Sequence, residues 1–155
     1  MNERDKSARL VDAYVNDKPE RTVRLGADPH SIFQMPVIIK CEDPDVEGAW
    51  SWGVDRQWCH DEWAEKVEPK FSDWQNLTWA EIDSHTSDTQ HRMHHNMNCE
   101  AICEEAQYRM IEIEKFFDTL FRFRAGNRER IWGYRITNTF YVLWYDPTHQ
   151  IYPTG

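Results

Sequence analysis

Between Arg130 and Tyr145 the chain reads RIWGYRI-TN-TFYVLWY, two runs of β-branched and aromatic residues split by two turn-forming residues. That pattern points to a β-hairpin. With Thr137-Asn138 as a two-residue turn, Ile136 faces Thr139, and pairing runs outward until Arg130 stands opposite Tyr145. Alternation then puts Ile131, Gly133 and Arg135 with Phe140, Val142 and Trp144 on one face. The opposite face shows Arg130, Trp132, Tyr134 and Ile136 with Tyr141, Leu143 and Tyr145. The first face suits a covering helix. The second mixes arginine with aromatic rings, the chemistry of a surface that stacks bases and holds phosphates. Tyr and Trp are also good strand residues, and Arg marks strand edges, so a purely structural reading stands beside the functional one.

The covering helix is expected just upstream. Ile102, Ala106, Met110, Ile113, Phe117 and Leu120 recur at spacings of four and three, one apolar stripe that predicts a helix from about Cys99 to Thr119. Asn98 would cap it, and Glu100 would sit in its first turn against the helix dipole. Gly126-Asn127 marks a turn before the hairpin. Nearer the N-terminus, Leu10, Val11, Tyr14 and Val15 suggest a short amphipathic helix before Pro19. Arg21–Leu25, Pro36–Cys41 and Ala49–Val54 read as strands. A helix opens at Asp55 and runs to about Val67, ended by Pro69; another starts at Thr78 with Trp79 and Ile82 inward. Thr86–Asn98 reads as a polar, histidine-rich loop. The 155 residues show no internal repeat and fit a single α+β domain. Its sheet would be small and mainly antiparallel, with the C-terminal hairpin packed on the long helix.

Charge is distributed unevenly. Residues 121–155 carry Arg122, Arg124, Arg128, Arg130 and Arg135 against Glu129 and Asp146, a balance of +3 within a chain of net charge −9. Residues 42–120 carry six basic and 19 acidic side chains. A free-standing nucleic-acid binder usually has an overall positive excess, so any such role must rest on a local basic patch. The acidic middle is either a solvated face or a surface complementary to a basic partner. No apolar run reaches bilayer length, and MNERDKSARL is charged where a secretory signal would turn apolar. A cytoplasmic location is therefore expected, with Cys41, Cys59, Cys99 and Cys103 as thiols.

Three groups of residues carry chemistry. His91, His94, His95, Cys99 and Cys103 place five zinc-ligand side chains within 13 residues. Their spacing matches no familiar finger, and cysteines one helical turn apart also pack as small hydrophobes. No metal or other cofactor is expected. Next, His94, His95 and His149 titrate near neutrality, and the tail arginines suit a developing phosphate charge. With Tyr141, Tyr145 and Tyr152 as further donors, such a set suffices for RNA cleavage by its own 2′-hydroxyl. His149 has a structural alternative, closing the turn begun by Asp146-Pro147. No Ser-His-Asp pattern, phosphate loop or dinucleotide fingerprint is present. Last, Trp50, Trp52, Trp58, Trp63, Trp74 and Trp79 either line a binding surface or fill a core made from short elements, the latter being favoured.

From Trp79 to Pro153, the segments TWAEI, EAQYRM, LFRFR, RERIWGYR and VLWYDPTHQIYP resemble a family of small uncharacterised bacterial and prophage proteins. That resemblance covers the C-terminal half and implies no activity. The order helix, Arg-rich strand, hairpin and closing His and Tyr is also similar to RelE/ParE-type toxins of toxin–antitoxin modules, whose RelE-like members cleave messenger RNA on the ribosome without metal. This likeness implies phosphate-binding roles for Arg128, Arg130 and Arg135, and acid–base or positioning roles for His149 and Tyr152. It departs from this chain in two ways: such toxins are strongly basic, and the chain has some 80 additional N-terminal residues.

Two functions are thus expected. One is a toxin-like RNA-binding or RNA-cleaving protein with RNA or the ribosome and a protein antitoxin as partners. It would use Arg130, Arg135, His149 and Tyr152 for chemistry, and Arg122, Arg124, Arg128, Tyr134, Tyr141 and Tyr145 for binding. The other is a non-catalytic protein-interaction module, such as a prophage-encoded inhibitor or immunity factor.

Overall fold

The computed structural model describes residues 31–46, 60–86 and 91–152. The chain divides into two compact units, Met1–Met35 and Pro36–Gly155. The features expected at Leu10–Val15, Arg21–Leu25, Ala49–Val54 and Asp55 lie outside the described residues, as do Trp50, Trp52, Trp58 and Cys59.

The second unit is α+β, built on a five-stranded, mostly antiparallel sheet. Its strands are β1 (Ile38–Lys40), β2 (His95–Asn98), β3 (Thr119–Arg124), β4 (Arg130–Ile136) and β5 (Thr139–Asp146). They lie in the order β1-β5-β4-β3-β2, with β1 parallel to β5 and every other pair antiparallel. Helix α1 (His60–Glu62) passes through a π-helical turn, Trp63–Val67, into α2 (Glu68–Trp74). Helices α3 (Trp79–Ser84) and α4 (Glu104–Glu112) follow. Pro69 was expected to end a helix. It stands instead near the start of α2, directly after the π-helical turn and inside a continuous helical run. At α3 the expected cap is present: Thr78 and Glu81 form a reciprocal capping box, and Trp79 and Ile82 are buried.

The expected hairpin forms, with Ile136 opposite Thr139, but its register slips halfway along. Gly133 pairs with Val142 while Trp132 pairs with Trp144, so Leu143 is an extra residue and Arg130 meets Asp146 rather than Tyr145. Gly133 permits this close packing. A Cβ there would overlap the Tyr141 carbonyl oxygen and lie 2.6 Å from Phe140 Cζ. The slip brings both Leu143 and Trp144 into the core cluster that holds Ala106 and Met110 of α4 together with Trp132 and Tyr134. The Arg-, Tyr- and Trp-bearing face, expected to be open, is therefore the one that α4 covers. Phe121, Phe123 and Phe140 occupy the opposite face under Trp74 and Trp79; Trp74 stacks on Phe123 at 4.3 Å. The described Trp74, Trp79, Trp132 and Trp144 are all core residues.

The predicted 21-residue helix is replaced by three elements: a 3-10 turn at Cys99–Ala101, the nine-residue α4, and β3. Asn98 makes no side-chain cap, and Cys103 is the residue preceding α4. The helix ends where Glu114 adopts φ 58°. Glu114 N–H donates to Ile111 O and Lys115 N–H to Met110 O, the paired bonds of a Schellman termination. Ile102, Ala106, Met110 and Leu120 still share one core cluster, with Ile113 and Phe117 packed against it. The apolar stripe thus identified the core but not the secondary structure. Likewise, the end of the supposed loop Thr86–Asn98 is strand β2, paired with β3 from His95↔Arg122 to Asn98↔Thr119. As an edge strand with one face exposed it needs no apolar run.

Candidate nucleic-acid interface

Strand pairing assembles a basic corner. Arg124 and Arg130 are direct cross-strand partners on β3 and β4, and Arg122 pairs with Trp132. Alternation puts Arg122, Arg124 and Arg130 on one side of the sheet. The chain after β5 folds back to the same place. The Asp146 carboxylate is fully buried and accepts from the Gln150 N–H at 2.8 and 3.0 Å and the Ile151 N–H at 2.8 Å. This turn puts His149 at φ 60° and seats Ile151 in the core, where its carbonyl accepts from Cys103 N–H at 2.8 Å. Arg128 Nη2 donates to Thr148 O at 3.1 Å, tying the β3–β4 loop to the turn.

The corner is electrostatically frustrated. Burial and the charges of Arg130 and Arg124 push the Arg122 pKa down to about 10. Burial and Arg124 push Arg130 down to about 10 as well. His149 lies below its ordinary value because of burial and the charge of Arg130, so it is neutral at pH 7. Backbone carbonyls hold the guanidinium groups. Arg122 Nη2 donates to Met93 O at 3.2 Å and Arg124 Nε to Gly126 O at 3.0 Å. Arg130 Nη1 donates to Gly126 O, Asn127 O and Glu129 O at 3.1, 3.2 and 3.1 Å. Among the described residues, the carboxylates within 4.0 Å of a Lys or Arg are paired with Lys40, Lys66, Arg92, Arg109 and Lys115. None of the five tail arginines has such a partner. Arg122 and Arg130 are each 6% exposed, and the Nε of each is buried with no hydrogen-bond partner.

The remaining nominated residues serve the interior. Tyr134 stacks between Phe117 at 4.5 Å and Tyr141 at 5.2 Å, with Lys115 Nζ 5.3 Å from its ring centroid. Tyr145 is buried against Trp63, and its hydroxyl donates to the Glu62 carboxylate. Arg135 lies on the other side of the sheet, its guanidinium 4.6 Å from the Trp79 ring and 5.2 Å from Phe121. The expected stacking platform is thus sealed between helix and sheet. Arg122, Arg124, Arg128, Arg130, His149 and Tyr152 remain as the group brought together at the corner. The last of these packs against the α4-side core, and its hydroxyl influences Arg122.

The histidines and cysteines of residues 91–103 diverge. His94 is 2% exposed among Trp74 and Phe123; its Nδ1 accepts the Arg124 N–H at 3.1 Å. Its Nε2–H is therefore free to donate to His85 Nδ1, 3.2 Å away. Burial, followed by the charge of His85, holds His94 near a pKa of about 3, which makes it a neutral structural residue. His95 Nε2 lies 2.8 Å from Arg92 O. Burial raises the Cys99 thiol to about 12 and raises Cys103. Among the described residues, no three His, Cys, Asp or Glu side chains meet in a group that could hold a metal ion. Nor is any helix long and apolar enough to cross a membrane.

Two residues of this region escaped the sequence reading. Asp146, expected only to begin a turn, organises the C-terminal return, and an acidic residue at i followed by a turn at i+4 is its one local signal. His85 pairs with His94 across a nine-residue separation that no motif announces. Chemically, the corner offers four guanidinium groups, a neutral imidazole and a phenol, a set that suits binding a phosphate and stabilising charge upon it. No family model, curated protein or solved structure matches this chain.

Proposed function

We propose that this protein binds RNA phosphates through the corner formed by Arg122, Arg124, Arg128 and Arg130 with His149 and Tyr152, and acts as a toxin-like, metal-independent RNA-cleaving protein. One observation carries the reading. In a chain with 27 acidic side chains against 18 basic ones, the arginines gathered at one end of the sheet have no carboxylate within 4.0 Å among the described residues. Clustered cations held by backbone carbonyls cost stability, and an anion compensates them. In the cleavage step the 2′-oxygen bonds to phosphorus as the bond to the 5′-oxygen breaks. Neutral His149 takes the 2′-hydroxyl proton, and the arginines stabilise the charge building on the phosphoryl oxygens. The leaving 5′-oxygen gains its proton from Tyr152 or water.

Anisotropy with a labelled single-stranded RNA tests the binding. Three phosphate contacts give a slope of log affinity against log salt of about −2. Combined Arg130→Ala and His149→Ala should relieve any growth arrest that follows induction of the wild type. Salt-insensitive or absent RNA binding, together with harmless expression, defeats the reading.

The interaction module is favoured by a separate observation. Tyr108, Ile111 and Phe116 are 66%, 59% and 76% exposed. Phe116 is held outward, since Lys115 is anchored by Asp43 at 2.6 Å and Phe117 by the Tyr134 ring. Exposed Glu104, Glu105 and Glu112 flank Tyr108 and Ile111 on α4. An apolar strip edged by carboxylates suits a basic protein segment. Under this reading, Tyr108→Ser with Phe116→Ser abolishes complex formation with the product of a neighbouring gene and leaves RNA binding intact.

A further inference from the structure

We infer that the basic corner prefers a terminal phosphate monoester to the phosphodiester within a strand that it engages for cleavage; this rests on the RNA-phosphate reading and names the group bound most tightly. Charge balance is the first ground. At pH 7 the guanidinium groups of Arg122, Arg124, Arg128 and Arg130 outnumber the buried Asp146 carboxylate by three, His149 being neutral. A monoester dianion offsets two of those charges, whereas a diester offsets one.

Coverage is the second ground. Arg122 and Arg130 are each 6% exposed, in a corner closed by the Ala125–Glu129 loop on one side and the Asp146–Ile151 turn on the other. An internal phosphate carries a ribose on both ester oxygens and fits such a corner less closely. A terminal phosphate has one such substituent and three free oxygens to present inward. The third ground is the set of unused donors. Arg122 has one hydrogen bond, through Nη2, and Arg130 bonds through Nη1 alone, so both Nε–H groups stay unspent on the side-by-side edge that grips two oxygens at once. A small shift of either covering segment exchanges that unmet demand for phosphate oxygens.

Three versions of one internally labelled 12-nucleotide RNA decide the matter: 5′-phosphate, 3′-phosphate, and hydroxyl at both ends. The full chain should bind at least one phosphorylated form about tenfold more tightly than the dihydroxyl form, and inorganic phosphate should compete for that difference. Arg122→Met should erase the preference. Arg122→Lys, which keeps the charge but loses the fork, should weaken it, and so covers the case in which the first variant folds poorly. Equal affinity for all three RNAs overturns the inference while leaving RNA binding in place. If no RNA binds but inorganic phosphate raises the melting temperature of the wild type and not of Arg122→Met, the monoester site stands and the RNA reading falls. If neither binds, both fall.

Discussion

Replacing Arg122 by methionine should make the protein more stable. Arg122 is 6% exposed, hemmed in by Arg124 and Arg130, and makes one hydrogen bond, to Met93 O at 3.2 Å. Lowering its pKa from the ordinary arginine value to about 10 corresponds to on the order of 3 kcal/mol held against the charged form. The sign is plain. A base whose folded pKa is depressed is a burden at every pH below the folded value, relieved only as pH rises from about 10 toward the ordinary arginine value. At pH 7 the full burden is present. Methionine keeps an unbranched buried stem and removes the charge. The lost hydrogen bond returns about 1 kcal/mol of destabilisation. Water and small shifts already relieve part of the burden, so a net gain of about 1–2 kcal/mol is expected. Urea denaturation at pH 7 and low salt, with no phosphate in the buffer, measures it. A loss of more than about 1 kcal/mol would refute the reasoning and make Arg122 an ordinary structural arginine. A gain accompanied by lost phosphate binding is the signature of a residue kept for function at the expense of stability.

Asp45→Ala should be among the most damaging changes. Its carboxylate accepts from Arg109 Nε and Nη2 at 2.8 and 2.7 Å and from Trp144 Nε1 at 3.0 Å, joining α4 to β5 in a nearly dry setting. A loss of about 3–5 kcal/mol is expected in denaturant melts, and a loss under 1 would show the pair to be inessential. Gly133→Ala should cost about 2–3 kcal/mol, because its methyl meets the backbone at Tyr141 and the Phe140 ring; near-neutral stability would mean that the bulge relaxes easily. Glu114→Gly should gain about 0.5–1 kcal/mol by removing a side chain from the left-handed position at φ 58°, and thermal melting with no gain would indicate a compensating contact of Glu114.

The α+β class, the two hairpin strands and the Thr78 cap were legible in the sequence because each is set by neighbours close in the chain: strand alternation, a two-residue turn, a Thr-x-x-Glu box. Core membership was also legible at Ile102, Ala106, Met110 and Leu120, since burial depends on apolar character alone. What failed were features settled by distant partners. The helix expected to Thr119 stops early because residues 119–124 gain a strand on each side, β2 and β4, which a continued helix would forgo. The face assignment failed because helices cover both sides of the sheet, α4 over Trp132, Tyr134 and Leu143 and the Trp74 and Trp79 side chains over Phe121, Phe123 and Phe140; the extra residue at Leu143 exchanges only Trp144 and Tyr145 between the sides.

The candidate site divides along the same line. Its residue types were readable: an arginine-rich tail with a His and a Tyr at its end announces a phosphate-binding composition. Composition alone did not separate Arg122 and Arg130, which converge with no carboxylate within 4.0 Å among the described residues, from Arg135, which lies on the Trp79 ring on the opposite side of the sheet. Nor did it show that Asp146 turns the chain to bring His149 back toward the arginines. The linear order of residues determined which groups were present and which short stretches could form. The register between strands and the return of the C-terminal segment, set by packing among residues far apart in the chain, decided which of those groups meet.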